Sequence, residues 1–137
     1  MNNLNDLVEK YVESVIIHGK ESWGRDYKKA NRHYKIYTKC FIDICKYKKE
    51  GEIALRQLLN HSSHFVRYAA AYHLLPFDRE MGLKMLKKCK NEPDGVGFNV
   101  KITISEWKNG DLRFPFEKDG KIISMTIDDF MDAQNQQ

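Results

Sequence analysis

The sequence predicts a mostly α-helical fold of paired helices, closed by a short C-terminal hairpin or extended appendage. Three observations predict it. Apolar residues recur at three- and four-residue steps through most of the first 110 positions. Gly19, Gly51, Pro76 and the Pro93–Gly97 stretch interrupt those runs at spacings that suit short helices. Beyond them, two apolar arms flank Asp119-Gly120, a dipeptide suited to a two-residue hairpin turn.

Leu4, Leu7, Val8, Tyr11, Val12, Val15 and Ile16 define a first helix over residues 4–17, with Gly19 as its stop. Residues 20–25, KESWGR, read as a connection. A long second helix follows over residues 26–49, closed by Gly51. Tyr27, Ala30, Tyr34, Tyr37, Phe41 and Ile44 form one stripe along it, expected to be core. Arg25, Lys28, Arg32, Lys35, Lys39, Lys46 and Lys49 form a second stripe on nearly the opposite side, with Asp43 the acid within it.

EIALRQLL, residues 52–59, makes a short helix, and Asn60-His61-Ser62 a turn. Ser62 or Ser63 caps the next helix, because a hydroxyl can accept from the free amides of a first turn. That helix runs to about Leu75 and stops before Pro76. Asp78 caps another over residues 79–90, carrying Met81, Leu83, Met85, Leu86 and Cys89. Residues 98–109 contain Val100, Ile102, Thr103 and Ile104, which favour strand locally. Phe98, Ile102, Ile104 and Trp107 also fit one helical face, and the helical context selects a helix ending at Asn109-Gly110. LRFPFEK and KIISMTI are the arms of the hairpin, with Pro115 confining the first to an edge. IDDFMDA gives a last helical turn, and the closing NQQ should fray.

A chain of 137 residues suits one domain, read as residues 1–50, 51–110 and an appendage 111–137. An apolar share of 42% and a charged share of 31% are ordinary for a soluble globular protein, so no disulfide or metal is needed for folding. No apolar run is long enough for a membrane span, and MNNLNDLVEK lacks a secretory pattern, so a cytoplasmic location is expected. The three cysteines, Cys40, Cys45 and Cys89, have no CxxC spacing and read as buried apolar residues. The net charge of +4 is uneven: residues 20–50 hold ten Lys/Arg against four acids, whereas residues 111–137 sum to −3. Such a bias points to an anionic partner.

EIALRQLLNHSSHFVRYAAAYHLL, residues 52–75, resembles a HEAT repeat through Asn60, Val66, Arg67, Ala69, Ala70 and Leu74. The resemblance implies an α-α superhelix of two to three helix pairs in a right-handed stack. Small residues let its second helix approach the next repeat, so Ala69→Leu should overpack. The arginine can reach the turn carbonyls or the Asn side chain. GVGFNVKITISEWKNGDL resembles the end of a small bacterial family, the domain of unknown function numbered 2019, through Glu106, Trp107, Lys108 and Gly110. That family implies a HEAT-like body and carries no assigned activity.

No GxSxG, P-loop, GxGxxG or HExxH motif is present, and no Cys-His signature. His64 and His73 are nine apart, about 180° around a helix, and His61 lies in a turn, so no metal site is expected. Asp128, Asp129 and Asp132 lack the glycine-bearing loop of a cation site. No cofactor is expected. The binding candidates are Arg25, Lys28, Arg32, Lys35 and Lys39 on the basic stripe and Tyr68 and Tyr72 beside the alanines.

The expected function is non-enzymatic protein binding. Fold and size fit a bacterial immunity protein that blocks a cognate toxin domain, by analogy rather than by any residue. The alternative is a nucleic-acid-binding module using the basic face of residues 25–49. An enzyme acting on a nucleobase would need an exposed carboxylate and a stacking aromatic on a concave face, and the sequence identifies no such pair.

Overall fold

The computed structural model describes residues 3–22, 24 and 26–136. Helix α1 spans Leu4–Ser22 and packs along α2, Tyr27–Cys45. Next come α3, Lys49–Gln57, a 3-10 turn at Leu58–Asn60, and α4, His64–Leu74. Helices α5, Arg79–Lys88, and α6, Val96–Asn109, lead to strands β1, Arg113–Lys118, and β2, Lys121–Thr126, and to α7, Ile127–Asn135. The fold is thus mostly α with a C-terminal antiparallel hairpin. No helix is long and apolar enough to cross a membrane among the described residues.

Several boundaries differ from the sequence reading, and the cause is close packing. Gly19 does not stop α1. The helix runs on to Ser22, and a Cβ at Gly19 would overlap the Phe65 ring of α4. Gly51 does not close α2 either. That helix ends at Cys45, Lys48 takes a left-handed φ of 55°, and Gly51 lies inside α3 where a Cβ would strike the Ile44 carbonyl. These glycines let neighbours approach; they do not mark ends. The Trp23 and Arg25 positions lie outside the described residues.

Side-chain caps close some helices and not others: Lys48, Ser63 and Gly95 at the starts of α3, α4 and α6 make no side-chain cap bond. Asp26 and Asp78 accept from the backbone amides of Lys29 (2.9 Å) and Met81 (3.1 Å). Thr126 does the same for Asp129 at 3.2 Å, so α7 is a nine-residue helix and not a single turn. Ser63 holds the cap position of α4, but its hydroxyl makes no cap bond. Its amide instead donates to Nδ1 of His61 at 2.9 Å.

The core gathers Tyr11 of α1, Phe41 and Ile44 of α2, Leu55 of α3, Val66, Ala70 and Leu74 of α4, Leu86 of α5 and Val100 of α6. In the α2 stripe Ala30, Phe41 and Ile44 are buried, and α3 and β1 pack against its C-terminal part. Tyr27 (72%) and Tyr34 (50%) stand exposed, contrary to expectation. Helix α6 is a helix, but its buried line is Val96, Val100 and Thr103; Phe98 and Ile102 face outward. Contacts with α4 and α5 override the strand propensity of its β-branched residues.

The hairpin turn is of the expected kind. Lys118 pairs with Lys121 across a two-residue loop, and Asp119 (φ 53°) and Gly120 (φ 76°) both take the positive φ that a type I′ turn requires. Phe114 and Phe116 of β1 pack on Phe130 of α7, at ring-centroid distances of 5.6 and 6.3 Å. Phe130 in turn stacks on Phe41 at 6.0 Å. Glu117 ties the strand to α2, reaching Lys39 Nζ at 2.8 Å and Lys46 Nζ at 3.2 Å.

Candidate functional site

A concave groove of about 740 Å³ lies between α1, α2, α4, the start of α6 and the hairpin. Its walls are aromatic: Tyr34 and Tyr37 from α2, Phe65, Tyr68 and Tyr72 from α4. The helical spacing of three and four residues puts each set on one face. Ala69 sits between the α4 aromatics and lines the groove as well, whereas Ala70 and Ala71 are fully buried. The alanine triplet therefore has two duties. Ala70 and Ala71 allow close packing, and Ala69 leaves room between bulky side chains. Packing alone, the expected reason for Ala69, is not the whole account.

Two tyrosines are tied down. The Tyr72 hydroxyl donates to the Arg113 carbonyl at 2.6 Å and so joins α4 to the hairpin. The Tyr68 hydroxyl bonds the Thr103 hydroxyl of α6 at 2.7 Å. The Tyr34 and Tyr37 phenols have no hydrogen-bond partner among the described residues, and their rings meet edge to face at 5.3 Å. Burial raises the Tyr37 and Tyr72 phenols above their ordinary pKa, with neighbouring tyrosines adding to the effect. At neutral pH they are uncharged and can still donate and accept.

His73 closes the bottom of the groove. It stacks on Phe41 at 4.1 Å, and the Tyr11 hydroxyl lies 2.5 Å from its Nδ1. Burial lowers its pKa from 6.5 to about 3, so the ring is neutral. A neutral ring with its proton on Nε2 accepts from the Tyr11 hydroxyl at Nδ1, and one with its proton on Nδ1 donates to it. His18 packs against Tyr37 at 5.3 Å and is also held below its ordinary value, by burial first and by His33 second. At the hairpin edge, Arg113 donates to the Ser124 carbonyl at 2.6 Å, and Ile122 (49%) and Ile123 (39%) are exposed.

The candidate residues divide. Lys35, Tyr68 and Tyr72 line the groove. Lys28 and Arg32 are exposed on α2 and, like Lys35, have no ion-pair partner among the described residues. Lys39 is half-buried between Asp43, at 3.2 Å, and Glu117, and both carboxylates raise its pKa. Arg25 lies outside the described residues.

Among the repeat-like positions, Val66 is fully buried and Asn60 is exposed. Arg67 donates to the His61 and Ser62 carbonyls at 2.8 and 2.9 Å and pairs with Glu92 at 3.0 Å. Trp107 is half-buried, with the Arg79 guanidinium 5.6 Å from its ring centroid. His18, Tyr34, Tyr37, Phe65, Arg113 and Ile122 join the site without having been expected there. Only the tyrosine pair had a sequence signal, and periodicity assigns such a stripe to core.

Burial raises the thiols of Cys40, Cys45 and Cys89, so none is a ready thiolate. Among the described residues, no three His, Cys, Asp or Glu side chains are arranged to hold a metal ion. The groove presents phenols, imidazoles, apolar rings, the unpaired Lys35 ammonium, the Arg113 guanidinium and the Asp94 carboxylate. That set recognises shape and hydrogen-bonding groups. Set against known protein families, curated proteins and solved structures, the chain matches none of them.

Proposed function

We propose that the protein is a non-enzymatic binding module whose groove receives a segment of one cognate protein partner. The observation that carries this is the concave surface walled by Tyr34, Tyr37, Tyr68 and Tyr72. Tyrosine supplies large contact area at low entropic cost, and well-packed concave aromatic sites are where interface energy concentrates. Exposed Ile122 and Ile123 extend the apolar contact at the rim. Unpaired Lys28, Arg32 and Lys35 beside the groove favour an acidic partner surface through steering and specificity.

The HEAT-like resemblance and the small size favour an immunity role in a bacterial cytoplasm, with binding to a toxin domain blocking it. Nucleic-acid contact along α2 has less support, because carboxylates hold Lys39 and Lys46. The test is affinity capture from the native organism with the full chain as bait, washed at about 50 mM and about 500 mM salt. One protein should remain at both, and Tyr34→Ala combined with Lys35→Glu should release it. Retention unaffected by that double change, or recovery of nucleic acid alone, would overturn the proposal.

A further inference from the structure

Outside the lining of the tyrosine groove, Lys87 in the last turn of α5 and Lys90 just past it line a shallow depression of about 410 Å³ together with Lys101 and Lys108 of α6. All four lysines are exposed, and none has an ion-pair or hydrogen-bond partner among the described residues. No carboxylate lines the depression. Lys39, Lys46, Arg56, Arg67 and Arg79 each meet a carboxylate, whereas these four lysines gather around one depression with none. Helix dipoles give a reason for Lys87 and Lys108, which lie in last turns. The same reason extends to Lys90, just past the cap of α5, and gives none for Lys101, in the middle of α6. Four uncompensated like charges on two elements repel one another, and a bound polyanion relieves that repulsion.

The rest of the lining selects the kind of polyanion. Ser105 and Asn109 stand among the lysines and can hydrogen-bond phosphate oxygens. The floor is Val100, which is fully buried, and half-buried Ile104. No aromatic ring lines the depression. A protein partner would find no aromatic anchor there, and single-stranded bases would find no ring to stack on. Lysines act as point charges suited to phosphates and carry no sequence readout.

We propose that the α5–α6 face is a second binding site that takes the phosphate backbone of a double-helical nucleic acid without sequence preference. It shares no lining residue with the tyrosine groove, so the two sites stand or fall separately.

The test is fluorescence anisotropy of the full chain with a labelled short DNA duplex over a salt series. Four phosphate contacts predict a slope of about −3.6 in log K against log salt. Lys101→Glu with Lys108→Glu should weaken binding about tenfold or more at low salt, and the matching Gln pair should weaken it less. Lys28→Glu with Arg32→Glu should leave it close to wild type. Circular dichroism checks that each variant stays folded, and the surface Gln pair serves if the Glu pair does not. Duplex affinity unchanged in the Glu or Gln pair, or lost equally in the α2 pair, would overturn the assignment. So would a single strand, or polyglutamate, binding as tightly as the duplex.

Discussion

Between pH 6.5 and about pH 3 the unfolded chain takes up a proton at residue 73 that the folded chain refuses. Above pH 6.5 His73 is neutral in both states and pH has no effect through it. Below 6.5 only the unfolded state gains the proton, so stability falls with pH, and the loss is complete near the folded value of about 3. Each unit corresponds to about 1.36 kcal/mol, so acidification from about pH 7.5 to about pH 4.5 removes about 2–3 kcal/mol through this side chain. That is a large part of the roughly 5–15 kcal/mol a domain of this kind possesses. The assay is urea unfolding at both pH values for wild type and His73→Phe. The variant keeps a ring against Phe41 and loses the hydrogen-bond partner of the Tyr11 hydroxyl, so at neutral pH it is weaker by about 1–3 kcal/mol. Carboxylates such as Asp78, whose pKa is lowered mainly by Arg56, titrate in both proteins and cancel in the comparison. Wild type should lose about 2–3 kcal/mol more than His73→Phe on acidification. Equal losses would refute a neutral, desolvated His73.

The alanines and the hairpin clamp give further predictions. Ala70→Leu should cost about 1–3 kcal/mol by overpacking, while Ala69→Leu, projecting into the groove, should cost less and impair partner retention. Urea midpoints in the reverse order would contradict the division of labour along α4. Glu117→Gln should speed hydrogen exchange at hairpin amides and leave α4 amides unchanged, because Lys39 and Lys46 lose the carboxylate that joins β1 to α2. Acid should act in the same direction: the two lysines hold the Glu117 carboxyl below its ordinary value, and the clamp releases as pH falls through that lowered value.

Local chemistry was legible in the sequence. Asp78 and the Asp119-Gly120 turn work as their side chains and φ preferences dictate, and the helical periods mark most helices. What the sequence does not carry is who approaches whom. Gly19 and Gly51 look like stops, yet each accommodates an atom from another element: a ring from α4 and a carbonyl from α2. Lys39 belongs to the basic stripe by period, but its partner Glu117 lies 78 residues further on. The groove is harder still. Its walls come from α1, α2, α4, α6 and the hairpin, and an aromatic stripe facing a concavity has the same period as one facing a core. Periodicity assigns both Tyr34 and Tyr37 to the core; Tyr37 packs against it while also lining the groove, and Tyr34 stands exposed at the groove wall.

The central claim is that this groove is where the partner binds. It is tested most directly by placing a photo-cross-linking amino acid at Tyr34 in one protein and at Ile53, exposed on α3, in another, and irradiating each in native extract. The account predicts one discrete adduct from position 34, suppressed by excess unmodified protein, and none from position 53. Adducts of equal yield from both positions, or an adduct from position 53 alone, would contradict it.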